Sequence, residues 1–174
     1  MISKSAIDEN RRAGMAIADA ELLTRWRDTR VFIAAGALWT TVGGLVAAIT
    51  RPLGFELGSW TAAFLVLVGG VAQIGIGAGQ AWLSVVPPRP KLRATEFLAW
   101  NSGVMLTVAG TLTAVPPMTS AGGAAIAVAL AAFLASTAAS NMRRGWWRVA
   151  YRILVAVVLI SIPVGLVLAW FRRR

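Results

Sequence analysis

The chain has 174 residues, 57% of them hydrophobic and 14% charged, with a mean hydropathy of +0.70. An ordinary soluble domain is about 25% charged, so the composition is that of an integral membrane protein. Neither cysteine nor histidine occurs, which excludes disulfides and thiolate metal sites and removes the commonest general base and metal ligand.

Seventeen basic residues against seven acidic ones give a net charge of +10. These charges lie between long apolar runs, so they read as the bias that orients membrane helices rather than as a nucleic-acid surface. The fold class expected is an all-α integral membrane protein. It comprises a bundle of about five transmembrane helices preceded by an amphipathic cytoplasmic N-terminal helix.

Residues 1–29 form the first unit. Ser5-Ala6-Ile7-Asp8 has the form of a helix-capping box. Met15, Ala18, Leu22 and Trp26 then recur at three- and four-residue spacing, as on one apolar helix face. Counted to Arg30, six basic and five acidic residues precede the first span, so the segment is no polybasic lipid anchor. It reads as a helix in the cytoplasmic interface or packed on a partner, with Met15, Leu22 and Trp26 as contact residues. No cleavable signal pattern precedes the first apolar run.

Residues 30–174 form the second unit, the bundle. Five runs approach the ~20 apolar residues needed to cross a bilayer: about 31–50, 60–86, 97–115, 121–140 and 153–171. Arg51-Pro52, the Pro87-Pro88-Arg89-Pro90 run and Pro116-Pro117 break them. The positive-inside rule assigns thirteen of the seventeen basic residues to one face, which makes that face and the N-terminus cytoplasmic. The fifth run reads as a full crossing, with a return at Pro163 as the alternative. The setting expected is a bacterial inner membrane, because uninterrupted apolar runs are incompatible with an outer-membrane barrel.

Six of the eight tryptophans, Trp60, Trp82, Trp100, Trp146, Trp147 and Trp170, fall near span ends, as in an interfacial aromatic belt. Trp39 lies mid-span. Gly36, Thr40, Gly44 and Ala48 form a small-residue stripe on the first span, and Gly75 and Gly79 form a GxxxG pair on the second. Such stripes allow close helix approach.

Polar residues within the spans are the candidate site. Gly69, Gln73, Gly77 and Ala81 lie four apart, which sets the Gln73 amide among small neighbours. Asn101 and Ser102 lie on the third span, and Ser136 on the fourth. A neutral amide in hydrocarbon calls for a hydrogen-bond partner on another helix; the alternative is a polar pathway. Glu96 reads as a span-entrance residue, so no ionisable group is placed mid-span and ion-coupled transport loses its usual handle. Neither a nucleophile–base set nor a metal cluster is legible.

A weak internal echo matches Thr41-Val42-Gly43-Gly44 to Thr107-Val108-Ala109-Gly110, and Ala62-Ala63-Phe64-Leu65 to Ala131-Ala132-Phe133-Leu134. Spans one–two and three–four would then be hairpin repeats. The tryptophan-rich sensory proteins share the span number and the many tryptophans, but their Trp-x-Pro-Pro loop is replaced here by Arg51-Pro52-Leu53-Gly54-Phe55, and the match is rejected. The function expected is a non-enzymatic accessory subunit of a larger inner-membrane complex, of lipid transport or respiration. The alternative is a small transporter or facilitator of an uncharged or lipid-like solute. The partners expected are the lipid bilayer and other membrane subunits or further copies of the chain, with no cofactor, metal or nucleic acid.

Overall fold

The computed structural model describes residues 4–83 and 89–139 and the single positions 149, 153, 155 and 156. All regular structure among the described residues is helical. Helix α1 runs Lys4–Thr50. A second rod follows, made of α2 (Gly58–Phe64), a π-helical segment (Leu65–Ala72) and α3 (Gln73–Leu83). Helices α4 (Pro90–Leu112) and α5 (Pro116–Ala139) complete the described fold.

Among the described residues, three helices are long and apolar enough to cross a membrane: Thr29–Thr50, Gly58–Ala81 and Pro116–Ala135. Helix α4 has the length, but Lys91, Arg93, Glu96, Asn101 and Ser102 lower its apolarity. The fifth expected run lies almost wholly outside the described residues. Burial runs opposite to that of a soluble protein. Leu38, Leu45, Leu67, Leu98, Met105 and Val128 face outward, whereas Gln73, Gln80 and Glu96 are enclosed. An apolar exterior around a partly polar interior is the arrangement hydrocarbon solvent favours.

Helix starts differ from the sequence expectation for a simple reason. Proline at the first helical turn costs no hydrogen bond and presets φ. Pro90 and Pro116 therefore open α4 and α5, seven and five residues ahead of the expected 97 and 121. The amphipathic segment also does not end before the first span, since α1 is continuous from Lys4 through Thr50.

The described helices form two antiparallel hairpins, α1 with the α2–π–α3 rod, and α4 with α5. Each turn is closed the same way. Gly54 takes φ +65 while the Phe55 and Gly54 N–H groups bond the Thr50 and Arg51 carbonyls at 3.2 and 3.3 Å. At the second turn Ala114 takes φ 54, and the Val115 and Ala114 N–H groups bond the Gly110 and Thr111 carbonyls at 2.8 and 3.3 Å. Both are Schellman ends with a left-handed C′ residue.

The crossings repeat as well. A Cβ at Gly36 would lie 2.9 Å from the Gly70 carbonyl oxygen and 2.6 Å from Ile74 Cγ1. A Cβ at Gly103 would lie 2.8 Å from the Gly122 carbonyl oxygen and 2.6 Å from Ile126 Cγ1. Thr40 and Thr107 fill the next turn, each donating its hydroxyl to the carbonyl four residues back, at 2.9 Å to Gly36 and 2.8 Å to Gly103. The hairpins thus share a Gly-x-x-x-Thr-x-x-Gly pattern, Gly36–Thr40–Gly43 and Gly103–Thr107–Gly110. Its register pairs Thr40 with Thr107, one residue away from the echo expected from sequence. On the second helices Gly70 matches Gly122, so Ala62–Leu65 does not align with Ala131–Leu134.

Candidate polar site between the hairpins

The hairpins meet along a seam of α1, α3 and α4. Trp39 and Phe32 cross it from α1. Trp39 packs over Gly69, where a Cβ would come within 3.0 Å of the Trp39 Cβ, and its indole N–H donates to Asn101 Oδ1 on α4 at 2.7 Å. Phe32 packs over Gly77, where a Cβ would lie 2.7 Å from the Phe32 Cβ, and its ring meets Phe97 of α4 edge-on at 5.4 Å. Gln73 lies between Gly69 and Gly77 on the same face of the rod. Trp100 lies between Phe97 and Asn101 on α4.

A third bridge comes from α3. The Gln80 amide Nε2 donates to both Glu96 oxygens, at 3.2 and 3.5 Å. Gln80 is seven residues beyond Gln73, two turns along the same face. Glu96 has no exposed surface and Gln80 only 1%. A buried carboxylate is expensive without hydrogen bonds, so this pair ties α3 to α4 tightly. Glu96 was expected at a span entrance. In the structure it lies more than a full turn inside α4, which begins at Pro90, and has no exposed surface.

The Gly69, Gln73, Gly77 and Ala81 stripe is buried throughout. Gln73 is 2% exposed, yet neither Oε1 nor Nε2 has a hydrogen-bond partner among the described residues. The cross-helix bond expected for this amide is made to none of the described residues. Trp100 has no exposed surface, and its indole Nε1 also has no partner among the described residues. Trp100 was expected in an interfacial belt. It lies instead in the core, edge-on to Phe133 at 6.5 Å.

Asn101 is half-buried, accepting from Trp39 and donating Nδ2 to the Phe97 carbonyl at 2.8 Å. Ser102 is exposed and its hydroxyl returns to the Leu98 carbonyl at 2.7 Å, away from the seam. Gly75 faces open space and Gly79 is half-buried. Gly44 is open too, and Gly43 takes its place at the α1 crossing. The side chains of Ser136 and Leu22 lie outside the described residues. Met15 and Trp26 are 54% and 41% exposed on the N-terminal part of α1.

Sequence reasoning found Gln73 and Asn101 through their position in apolar runs. It missed Gln80, Glu96 and Trp100. The signal for these was the seven-residue spacing of two glutamines and the four-residue spacing of Glu96 and Trp100. Among the described residues no group of acidic side chains is placed to hold a metal ion. Compared with known proteins, the chain matches no family model, no curated protein and no solved structure.

Proposed function

We propose that the chain is a non-enzymatic helical subunit of a larger bacterial inner-membrane complex, crossing five times from a cytoplasmic N-terminus and docking through the first part of α1. The observation that carries this reading is the exposure of that segment. Every described side chain from Glu9 to Arg27 is exposed, including Met15, Leu23 and Trp26. Residues 4–28 amount to about 38 Å of helix at 1.5 Å per residue. A helix with so little tertiary packing is marginal in water.

The segment continues a candidate span with no proline in α1 and no break in the helix. Such a helix leaves the membrane along the axis of the span, which disfavours a flat interfacial position. Its near balance of charges gives anionic lipid little purchase. A protein surface is the remaining support. The test is co-purification from native membranes in mild detergent at matched expression. Met15→Glu with Trp26→Glu should leave the chain in the membrane and release its partner subunits. Unchanged recovery of partners refutes docking through this face.

One observation favours a second reading, a facilitator of an uncharged or lipid-like solute: the enclosed Gln73 amide with no protein partner. Solute flux through the purified chain alone in liposomes would establish that reading over the first.

A further inference from the structure

Helices α1 and α4 enter the bundle in parallel. Phe32 of α1 meets Phe97 of α4, and further along Trp39 of α1 bonds Asn101 of α4. Counted back from the Phe32–Phe97 contact at 1.5 Å per residue, Arg27 lies about 8 Å and Lys91 about 9 Å toward the N-terminal ends. The two bases thus share one level along the bundle. Both are exposed, and neither makes an ion pair with a described residue. The rim at this level is basic, unlike the balanced segment ahead of it. Stretches 27–30 and 89–93 hold Arg27, Arg30, Arg89, Lys91 and Arg93 against Asp28 alone.

Each base heads a column of outward apolar side chains. On α4, Lys91, Leu98 and Met105 follow at seven-residue steps, and all three are exposed. On α1, Arg27, Val31, Leu38 and Leu45 follow at four- and seven-residue steps, and all four are exposed. Seven residues make nearly two turns, so each set lies on one helix face. We propose that these two columns bind anionic phospholipid, with the headgroup phosphate on Arg27 or Lys91 and an acyl chain along the apolar side chains beyond it.

Charge selects the head of the ligand, because unpaired bases near a membrane surface attract anionic lipid. The columns select its tail. An acidic protein or a nucleic acid would engage the bases and leave the apolar side chains beyond them without a role. Depth agrees with both. The candidate span of α1 begins at Thr29, two residues past Arg27, and the exposed Trp26 precedes it as an interfacial tryptophan does. Leu98 lies about 10 Å from Lys91 and Leu38 about 16 Å from Arg27, close to half of a roughly 30 Å hydrocarbon core. Helix α5 supplies the contrast: Ala121, Val128 and Ala135 form an exposed column with no base at its head. The inference rests on the membrane placement of α1 and α4 and not on the docking of residues 4–28.

The chain has no cysteine, so Leu38→Cys, Leu98→Cys and Val128→Cys each accept a single bimane label. The labelled full chain is placed in nanodiscs of phosphatidylcholine, and phosphatidylglycerol or phosphatidylcholine with brominated acyl chains is added in rising mole fraction as quencher. At positions 38 and 98 half-quenching should need roughly fivefold less phosphatidylglycerol than phosphatidylcholine, the effect of one base near the surface. At position 128 the two lipids should quench alike. Arg27→Gln should remove the preference at position 38, and Lys91→Gln that at position 98, whereas Arg27→Lys and Lys91→Arg keep it. Equal quenching at 38 and 98, a preference that survives loss of the base, or the same preference at 128 overturns the proposal with the membrane placement intact. Absence of any quenching at 98 overturns it through the placement of α4. Inorganic phosphate should disturb the preference no more than chloride at equal ionic strength; a loss specific to phosphate would show a site for the free anion and overturn the lipid assignment.

Discussion

Replacing Gln73 by leucine should stabilise the ligand-free protein, although the change puts no new contact of known geometry into the bundle. The amide is 2% exposed and neither of its polar atoms has a partner among the described residues. An unsatisfied buried amide costs roughly 1–3 kcal/mol in protein mutational series. Leucine is close to glutamine in volume and branches one atom earlier, so part of that gain is lost to repacking between Gly69 and Gly77, by up to about 1.5 kcal/mol. The net expectation is a gain of about 1 kcal/mol. Asn101→Leu is the matched control, because its amide is bonded. It removes the acceptor of the Trp39 indole and should cost about 0.6–1.7 kcal/mol, the range of interhelical hydrogen bonds in membranes. Reversible unfolding in mixed micelles by rising denaturing detergent gives both values. A loss of stability in Gln73→Leu comparable to that in Asn101→Leu would refute the reasoning, since it would mean that the Gln73 amide is satisfied.

Two further expectations concern the backbone. Gly122→Ala should destabilise the α4–α5 pair by roughly 2 kcal/mol or more through overpacking, because its Cβ would meet Thr107 and lie 2.8 Å from the Gly103 carbonyl oxygen. Gly75→Ala, with nothing within 4 Å, should instead gain up to about 1 kcal/mol from helix propensity; the same unfolding assay reads both, and equal effects would contradict the assigned crossing. Ala114→Gly should raise stability by about 0.5–1 kcal/mol, since φ 54 at this position suits glycine and strains alanine. A melting temperature lowered by that change would exclude the left-handed turn.

The apolar runs made the helices legible, because the length of hydrocarbon to be crossed leaves few alternatives. Their starts were less so. Pro90 and Pro116 read as breakers when taken singly, whereas at a first turn they initiate. With α4 opening at Pro90, Glu96 and Trp100 lie well inside the helix, and neither has exposed surface. The Gly69–Gln73–Gly77 stripe was legible from its period alone. The missing partner of Gln73 was not, since it depends on which side chains of α1 and α4 arrive opposite. The π segment was equally hidden: it is a choice of hydrogen-bond register, and residues such as Leu65-Val66-Leu67-Val68 suit α and π turns alike. The repeated Gly-x-x-x-Thr-x-x-Gly pattern was present in the sequence, but two adjacent threonines on one helix, Thr40 and Thr41, against the single Thr107 on the other left its register open by one residue.

The matched crossings bear on the order in which the molecule comes together. Each hairpin brings its own glycines into backbone contact within a short stretch of chain, Gly36 to Gly70 and Gly103 to Gly122, so each can close as soon as it has entered the bilayer. The loop-closure entropy is then modest for both. The seam has no such backbone contact at its α3–α4 side and relies on side chains that reach across, Gln80 to Glu96 and Trp39 to Asn101. It is therefore the last surface to form and the first to part. Thermal opening of this protein should separate two intact hairpins at the Trp39–Asn101 and Gln80–Glu96 bridges, leaving the glycine crossings closed, and hydrogen exchange should find the slowest amides beside Gly36, Gly70, Gly103 and Gly122.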